Sequence, residues 1–146
     1  MKLEKVYAEI IKAKLKERKI HMGILDEEYY GVTLDGILMY FLPRSECLLN
    51  LDTLLRNNEL KDFSKLRPTR DVKLAEKSNT LTKKLDKLGK MCTLAQIGDK
   101  YVNEALLKNF DNPTFGYADG GYSNPVYVYE NNNNLVGLVC PFIVND

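Results

Sequence analysis

The stretch that decides the fold class is PVYVYENNNNLVGLVCPFIV, residues 125–144. Two apolar runs flank the asparagine block of residues 131–134. Val126, Tyr127, Val128 and Tyr129 are the β-branched and aromatic types that suit a pleated, half-buried strand. Asparagine tolerates left-handed backbone and bonds to its own neighbours, so the block is a turn. The stretch therefore predicts a β-hairpin, and alternation puts Tyr127 and Tyr129 opposite to Val126 and Val128.

The same reading extends outward. FGYADGGYSNPVYVYE, residues 115–130, predicts two strands around Asp119-Gly120-Gly121. MCTLAQIGDKYVNEALLKNF, residues 91–110, predicts a strand, a Gly98-Asp99 turn, a short strand at Tyr101-Val102 and a helix capped by Asn103. Near the front, YYGVTLDGILMYFLP, residues 29–43, places Asp35-Gly36 between two strand-like runs. That dipeptide is a strong two-residue hairpin signal, because the turn needs positive φ, and Pro43 marks the second strand's end. ECLLNLDTLLRN, residues 46–57, predicts a short strand and one helical turn with Asn50 or Asp52 as cap.

Helical spacing shows at the N-terminal end. Leu3, Val6, Tyr7, Ile10 and Ala13 share one broad face, with Ile11 at its margin. Lys2, Lys5, Glu9, Lys12, Lys16 and Lys19 line the opposite side. Past Ala13 the apolar face degrades as Lys14 and Glu17 enter it. LTKKLDKLG, residues 81–89, predicts a short amphipathic helix through Leu81, Leu85 and Leu88, stopped by Gly89. Residues 63–80, rich in Lys and Arg and holding Pro68, read as a mobile basic loop. The expected fold is one α+β domain over residues 1–146, mostly antiparallel sheet with two or three short helices.

At 146 residues with 45% hydrophobic and 28% charged side chains, the chain is built like an ordinary globular domain. Cys47, Cys92 and Cys140 form no C-x-x-C pair, and His21 is the one histidine. Buried, reduced cysteines in a cytoplasmic protein are expected. The lysine-rich start is unlike a signal peptide, and no stretch approaches the roughly 18 apolar residues that span a membrane. No cofactor or metal is implied. Asp26, Glu27 and Glu28 are adjacent carboxylates that point in different directions, and His21 has neither a G-x-S-x-G element nor another nucleophile motif beside it. An enzyme is not expected.

Charge is segregated. The net values are +4 for residues 1–20, −5 for 21–60, +6 for 61–100 and −4 for 101–146, within a total of +1. Brought together, Lys5, Lys12, Lys16 and Lys19 with Arg67, Arg70, Lys73, Lys77, Lys83 and Lys84 make a phosphate-binding face. Solvated outer faces are the plainer account of the same lysines. Tyr127, Tyr129 and Phe142 are the candidate protein contacts, since tyrosine packs its ring while keeping its hydroxyl wet.

The closing residues also carry a family resemblance. Val102-Asn103-Glu104-Ala105-Leu106-Leu107 stands as a short strand with Asn opening a helix. Pro125-Val126-Tyr127-Val128 opens the penultimate strand, and Leu138-Val139-Cys140-Pro141-Phe142-Ile143 supplies the last. This order resembles the closing unit of a bacterial DNA sliding-clamp domain, and the whole chain is similar to small clamp-like proteins of bacterial prophages. The resemblance implies a clamp-like half domain, basic helices presented to DNA, and oligomerisation before anything is encircled. The expected function is a non-enzymatic, phage-derived module that binds a host or phage protein. The alternative is a nucleic-acid-binding protein using the basic N-terminal helix and residues 67–90.

Overall fold

The computed structural model describes residues 1–45, 47–50, 60–66, 68, 72–118, 124–131 and 133–142. The class is α+β, with mostly antiparallel strands and, among the described residues, one α-helix. The chain divides into two compact units, residues 2–69 and residues 70–146 with Met1.

The first unit opens with helix α1, Leu3–Leu15. Val6, Tyr7, Ile10 and Ala13 are buried along the predicted face, Leu3 is half-buried and Ile11 is exposed. The helix stops where the apolar face degrades, and Glu17 takes a positive φ of 56° just beyond it. Strands β1 (Ile20–Ile24), β2 (Tyr29–Leu34) and β3 (Leu38–Pro43) form an antiparallel meander. Asp35 (φ 53°) and Gly36 (φ 71°) form the turn before β3, closed by the Ile37 N–H on the Leu34 carbonyl at 3.2 Å. Those paired positive angles are what the Asp-Gly signal demands. From β3, the Tyr40 hydroxyl donates to Glu9 Oε2 of the helix at 3.1 Å.

A short strand β4 (Lys61–Asp62) pairs parallel with β1, Gly23 opposite Lys61. Its follower Phe63 donates N–H to the Ile24 carbonyl at 2.8 Å and lays its ring over the cross-strand pair Gly23 and Gly31. A 3-10 turn, Ser64–Leu66, comes next.

The second unit holds β5 (Lys73–Ala75), β6 (Lys77–Leu85), β7 (Met91–Ile97), β8 (Lys100–Asn103), β9 (Thr114–Tyr117), β10 (Val126–Glu130) and β11 (Asn134–Val139). Strands β11, β10, β9 and β5 lie side by side in that order, and β6, β7 and β8 form a three-stranded sheet. The predicted hairpin of β10 and β11 is present. Asn131 (φ 42°) and Asn133 (φ 68°) take the left-handed backbone expected of the block. Phe115, Val126, Val128 and Val139 are fully buried between these strands and their surroundings. The Met1 ammonium meets Glu130, which also accepts the Asp111 N–H at 2.6 Å, so this buried carboxylate is satisfied.

Four expectations need correction. Residues 81–89 are not a helix: they are the end of β6 and a turn. Leucines spaced by four share a face in a strand as well as in a helix, and the ladder of residues 81–85 with β7, Thr82 opposite Leu94 among them, tips the balance to strand. The helix after Asn103 is a four-residue 3-10 turn, Glu104–Leu107, although Asn103 does cap it, its side chain accepting the Ala105 N–H at 3.1 Å. Residues 63–80 are not a plain loop, since the turn after Phe63, β5 and the start of β6 all fall there. Residues 47–50 form no strand. The helical turn drawn through residues 51–57 and the Asp119-Gly120-Gly121 turn lie outside the described residues.

Candidate functional site

The β6–β7 hairpin carries a cluster of exposed aliphatic side chains in a lysine-rich stretch. Residues 77–90 hold five lysines and a single aspartate. That aspartate turns inward on its own loop. Asp86 Oδ1 accepts the Leu88 N–H at 2.9 Å and the Lys90 N–H at 2.8 Å. The Gly89 N–H closes on the Asp86 carbonyl at 3.0 Å, with Gly89 at φ 79°. The Asp86 N–H returns to the Lys90 carbonyl at 2.9 Å. The Asp86 carboxylate and two backbone hydrogen bonds together close the turn, and Lys83, Lys84, Lys87 and Lys90 are exposed around it.

Register sorts the side chains by face. Leu81 lies opposite Ala95, Lys83 opposite Thr93 and Leu85 opposite Met91 on one face; Thr82 lies opposite Leu94 and Lys84 opposite Cys92 on the other. Leu81 is 46% exposed, Leu85 61%, Met91 57% and Leu88, at the tip, 93%. Lys83 and Lys84 are exposed and, among the described residues, have no ion-pair partner, whereas Lys77 is held by Glu104 at 2.8 Å. The outcome is a firmly closed tip carrying aliphatic side chains ringed by ammonium groups.

Beside the turn of this hairpin a cleft of about 450 Å³ is lined by Asp86, Lys90, Cys92, Asn103 and Glu104. Asn103 Nδ2 donates to Cys92 Sγ at 3.6 Å. Burial, with the nearby Asp86 carboxylate, pushes the Cys92 thiol above its ordinary range. A thiol held protonated is a poor nucleophile, so the geometry here suits packing. Of the three cysteines only Cys92 is buried; Cys47 is half-buried and Cys140 exposed, which corrects the expectation that all three are interior.

The other sequence candidates fall as follows. Lys5, Lys12, Lys16 and Lys19 are exposed on or just after α1 in the first unit, and Lys73, Lys83 and Lys84 are exposed in the second. Arg67 and Arg70 lie outside the described residues. Tyr127 is half-buried, and Tyr129, at 8% exposure, is not the outward contact expected of it. Its ring fills the space left by the missing side chain of Gly116 on β9. Burial pushes both phenols above their usual range. Phe142 is half-buried, its N–H donating to the Tyr101 carbonyl at 2.7 Å.

His21 is half-buried on β1, its backbone paired with the Thr33 hydroxyl. Asp26 shapes the turn before β2 by accepting the Glu28 and Tyr29 N–H groups at 2.8 Å. Among the described residues no group of three His, Cys, Asp or Glu gathers at ligand distance. No helix among them is long and apolar enough to cross a membrane.

Sequence reasoning found Lys83 and Lys84 but missed Leu85, Leu88 and Met91 as surface, because it placed the leucines on the buried side of a helix. The readable signal was the Asp86-x-x-Gly89 spacing, a turn between two runs containing threonine. Comparison with protein-family models, with curated proteins and with solved structures finds no match to this chain.

Proposed function

We propose that the protein is a non-enzymatic interaction module that docks a protein partner through the β6–β7 hairpin. One observation carries this reading: Leu81, Leu85, Leu88 and Met91 stand exposed together within a lysine-rich element. Lysines alone keep a surface strand soluble. Adjacent large aliphatic side chains do the opposite, each leaving on the order of 1–2 kcal/mol of burial unrealised. A contiguous apolar patch with a polar rim is the usual mark of a contact surface. The clamp-like reading of the closing unit, and the phage-derived origin that such a resemblance implies, are part of the same proposal.

The test compares the immobilised protein with its Leu85→Ser, Leu88→Ser variant. Both positions are largely exposed, so the variant should keep its stability to within about 0.5 kcal/mol. The expected result is a partner retained in stoichiometric amount by the parent, lost by the variant, and bound again when purified. Equal retention by both proteins would refute the reading.

A second reading has its own observation. The exposed lysines of the hairpin and of α1 supply the charge for nucleic-acid binding. Fluorescence anisotropy of labelled single- and double-stranded DNA at about 50 and 200 mM salt decides it, because several phosphate contacts weaken binding by orders of magnitude over that range. Tight, salt-sensitive binding lost on Lys83→Glu, Lys84→Glu would put this reading first.

A further inference from the structure

We infer that β6 is an acceptor edge: it takes an extended, acidic segment of a partner protein as an added strand. The inference rests on the hairpin being the docking element and goes on to say how it docks and what chemistry it selects. β6 is the outer strand of its three-stranded sheet, and its ladder with β7 is regular from Leu81 to Leu85 after a slip between Lys77 and Leu81. The opposite outer strand, β8, has its Tyr101 carbonyl covered by the Phe142 N–H. Among the described residues nothing lies in register against the outer side of β6. An outer strand presents a row of unpaired N–H and C=O groups, and a regular stretch about 17 Å long offers them at the spacing an incoming strand needs.

Side chains then set the partner's composition. A strand laid beside residues 81–85 meets Leu81, Lys83 and Leu85 on one face and Thr82 and Lys84 on the other. The complement is a five-residue segment with apolar residues at both ends and two adjacent carboxylates opposite Lys83 and Lys84. Met91, beside Leu85, and Leu88 at the tip widen the apolar seat at one end. A second copy of β6 is disfavoured, since antiparallel self-pairing brings Lys83 and Lys84 against the same lysines of its mate. A nucleic acid satisfies the lysines but brings no strand of backbone donors and acceptors, and leaves the leucines wet.

The experiment selects random short peptides on the immobilised full chain and reads three things for the enriched sequence. These are its composition, the amide hydrogen exchange of residues 81–85 with peptide bound, and the affinity of a version N-methylated on alternate backbone amides. Expected are paired Asp or Glu residues flanked by apolar ones, slowed exchange along β6, and a loss of roughly tenfold or more on N-methylation and on Lys83→Glu, Lys84→Glu. Acidic peptides that need Leu85 and Leu88 yet leave exchange unchanged and tolerate N-methylation would overturn the added strand while leaving the docking reading standing. Failure to enrich any peptide sensitive to Leu85→Ser, Leu88→Ser would overturn both. Displacement of the peptide by DNA without exchange protection, or a dimer that protects β6 in the absence of peptide, would also overturn the inference.

Discussion

Replacing Gly23 by alanine tests the packing of the first unit most sharply. A Cβ built on Gly23 falls 2.5 Å from Phe63 Cδ2, 2.7 Å from Phe63 Cε2 and 2.6 Å from the Lys61 carbonyl oxygen. Carbon contacts are comfortable at roughly 3.5–4.0 Å, so the overlap is about 1 Å on both sides. The ring can swing away, but Lys61 is paired with Gly23 itself, and the Phe63 N–H ties the segment to Ile24 at 2.8 Å. Relief therefore requires β4 to leave β1. Overpacking of this kind costs about 3 kcal/mol at its upper end. Alanine's smaller unfolded-state entropy returns at most ~1 kcal/mol, which leaves a net loss of about 2 kcal/mol. In urea unfolding followed by circular dichroism, with a slope near 1.5 kcal/mol per molar, the midpoint should fall by roughly 1 M. Gly36→Ala is the control, because the space around Gly36 is open and only its φ of 71° opposes a side chain. Adding Phe63→Ala to Gly23→Ala should recover part of the loss, since the ring supplies two of the three clashes. A Gly23→Ala midpoint equal to that of the parent, or losses that simply add in the double variant, would refute the seating of Phe63 on this glycine.

Other outcomes follow from the second unit. Gly98→Ala combines a φ of 59° with a Cβ only 2.3 Å from the Tyr117 ring, so thermal melting should show a loss of about 3 kcal/mol, partly restored by Tyr117→Ala; an unchanged transition would discount the contact. Asp86→Ala removes the acceptor for two N–H groups of the hairpin turn and should cost about 1–2 kcal/mol in urea unfolding, while Asp86→Asn, which keeps an oxygen, should cost less. Equal costs would mean the turn does not depend on that oxygen. At alkaline pH, Tyr127 and Tyr129 are held neutral by burial, so their folded values lie above the ordinary 10.0. The unfolded chain releases these protons first. The stability they contribute is intact below about pH 10 and is lost as pH rises toward the folded values. Phenolate absorbance and circular dichroism should then change together, and full ionisation with a native spectrum would contradict the buried placement.

The parts legible in the sequence are those specified by neighbours along the chain. Asp35-Gly36 and the asparagine block dictate their turns through backbone sterics alone, and the N-terminal helix announces its buried face at Val6, Tyr7, Ile10 and Ala13. The missed parts depend on partners distant in sequence. Leu81, Leu85 and Leu88 fit either period, and only the ladder with β7 decides between them. Tyr129 looked outward by alternation, yet Gly116, diagonal to it across β9, opens a slot that takes the ring. The same arrangement recurs where Phe63 covers Gly23 and Gly31 and where Tyr117 covers Gly98. In each case a glycine reads locally as a weak point in a strand or a turn, and its actual role is to seat an aromatic ring.

That recurrence sets the β6–β7 hairpin apart. Aromatic rings seat on glycines in both units, but residues 77–97 contain no aromatic residue at all. The hairpin stands instead on Leu94, Ile97 and Cys92 of β7, all buried, and on the Asp86 turn. Leu85, Leu88 and Met91, all more than half exposed, contribute little to that support. Cys92 and Leu94 hold the element from the face opposite Leu85 and Met91, while Ile97 and Ala95 are buried farther from the turn, so the residues exposed near the turn are not the ones that anchor it. Unbranched methionine and flexible leucine also adapt to an incoming surface more readily than rings locked in place. An element built this way can gain or lose a partner without disturbing its own fold, which is why Leu85→Ser, Leu88→Ser and Lys83→Glu, Lys84→Glu should alter binding and leave the unfolding transition in place.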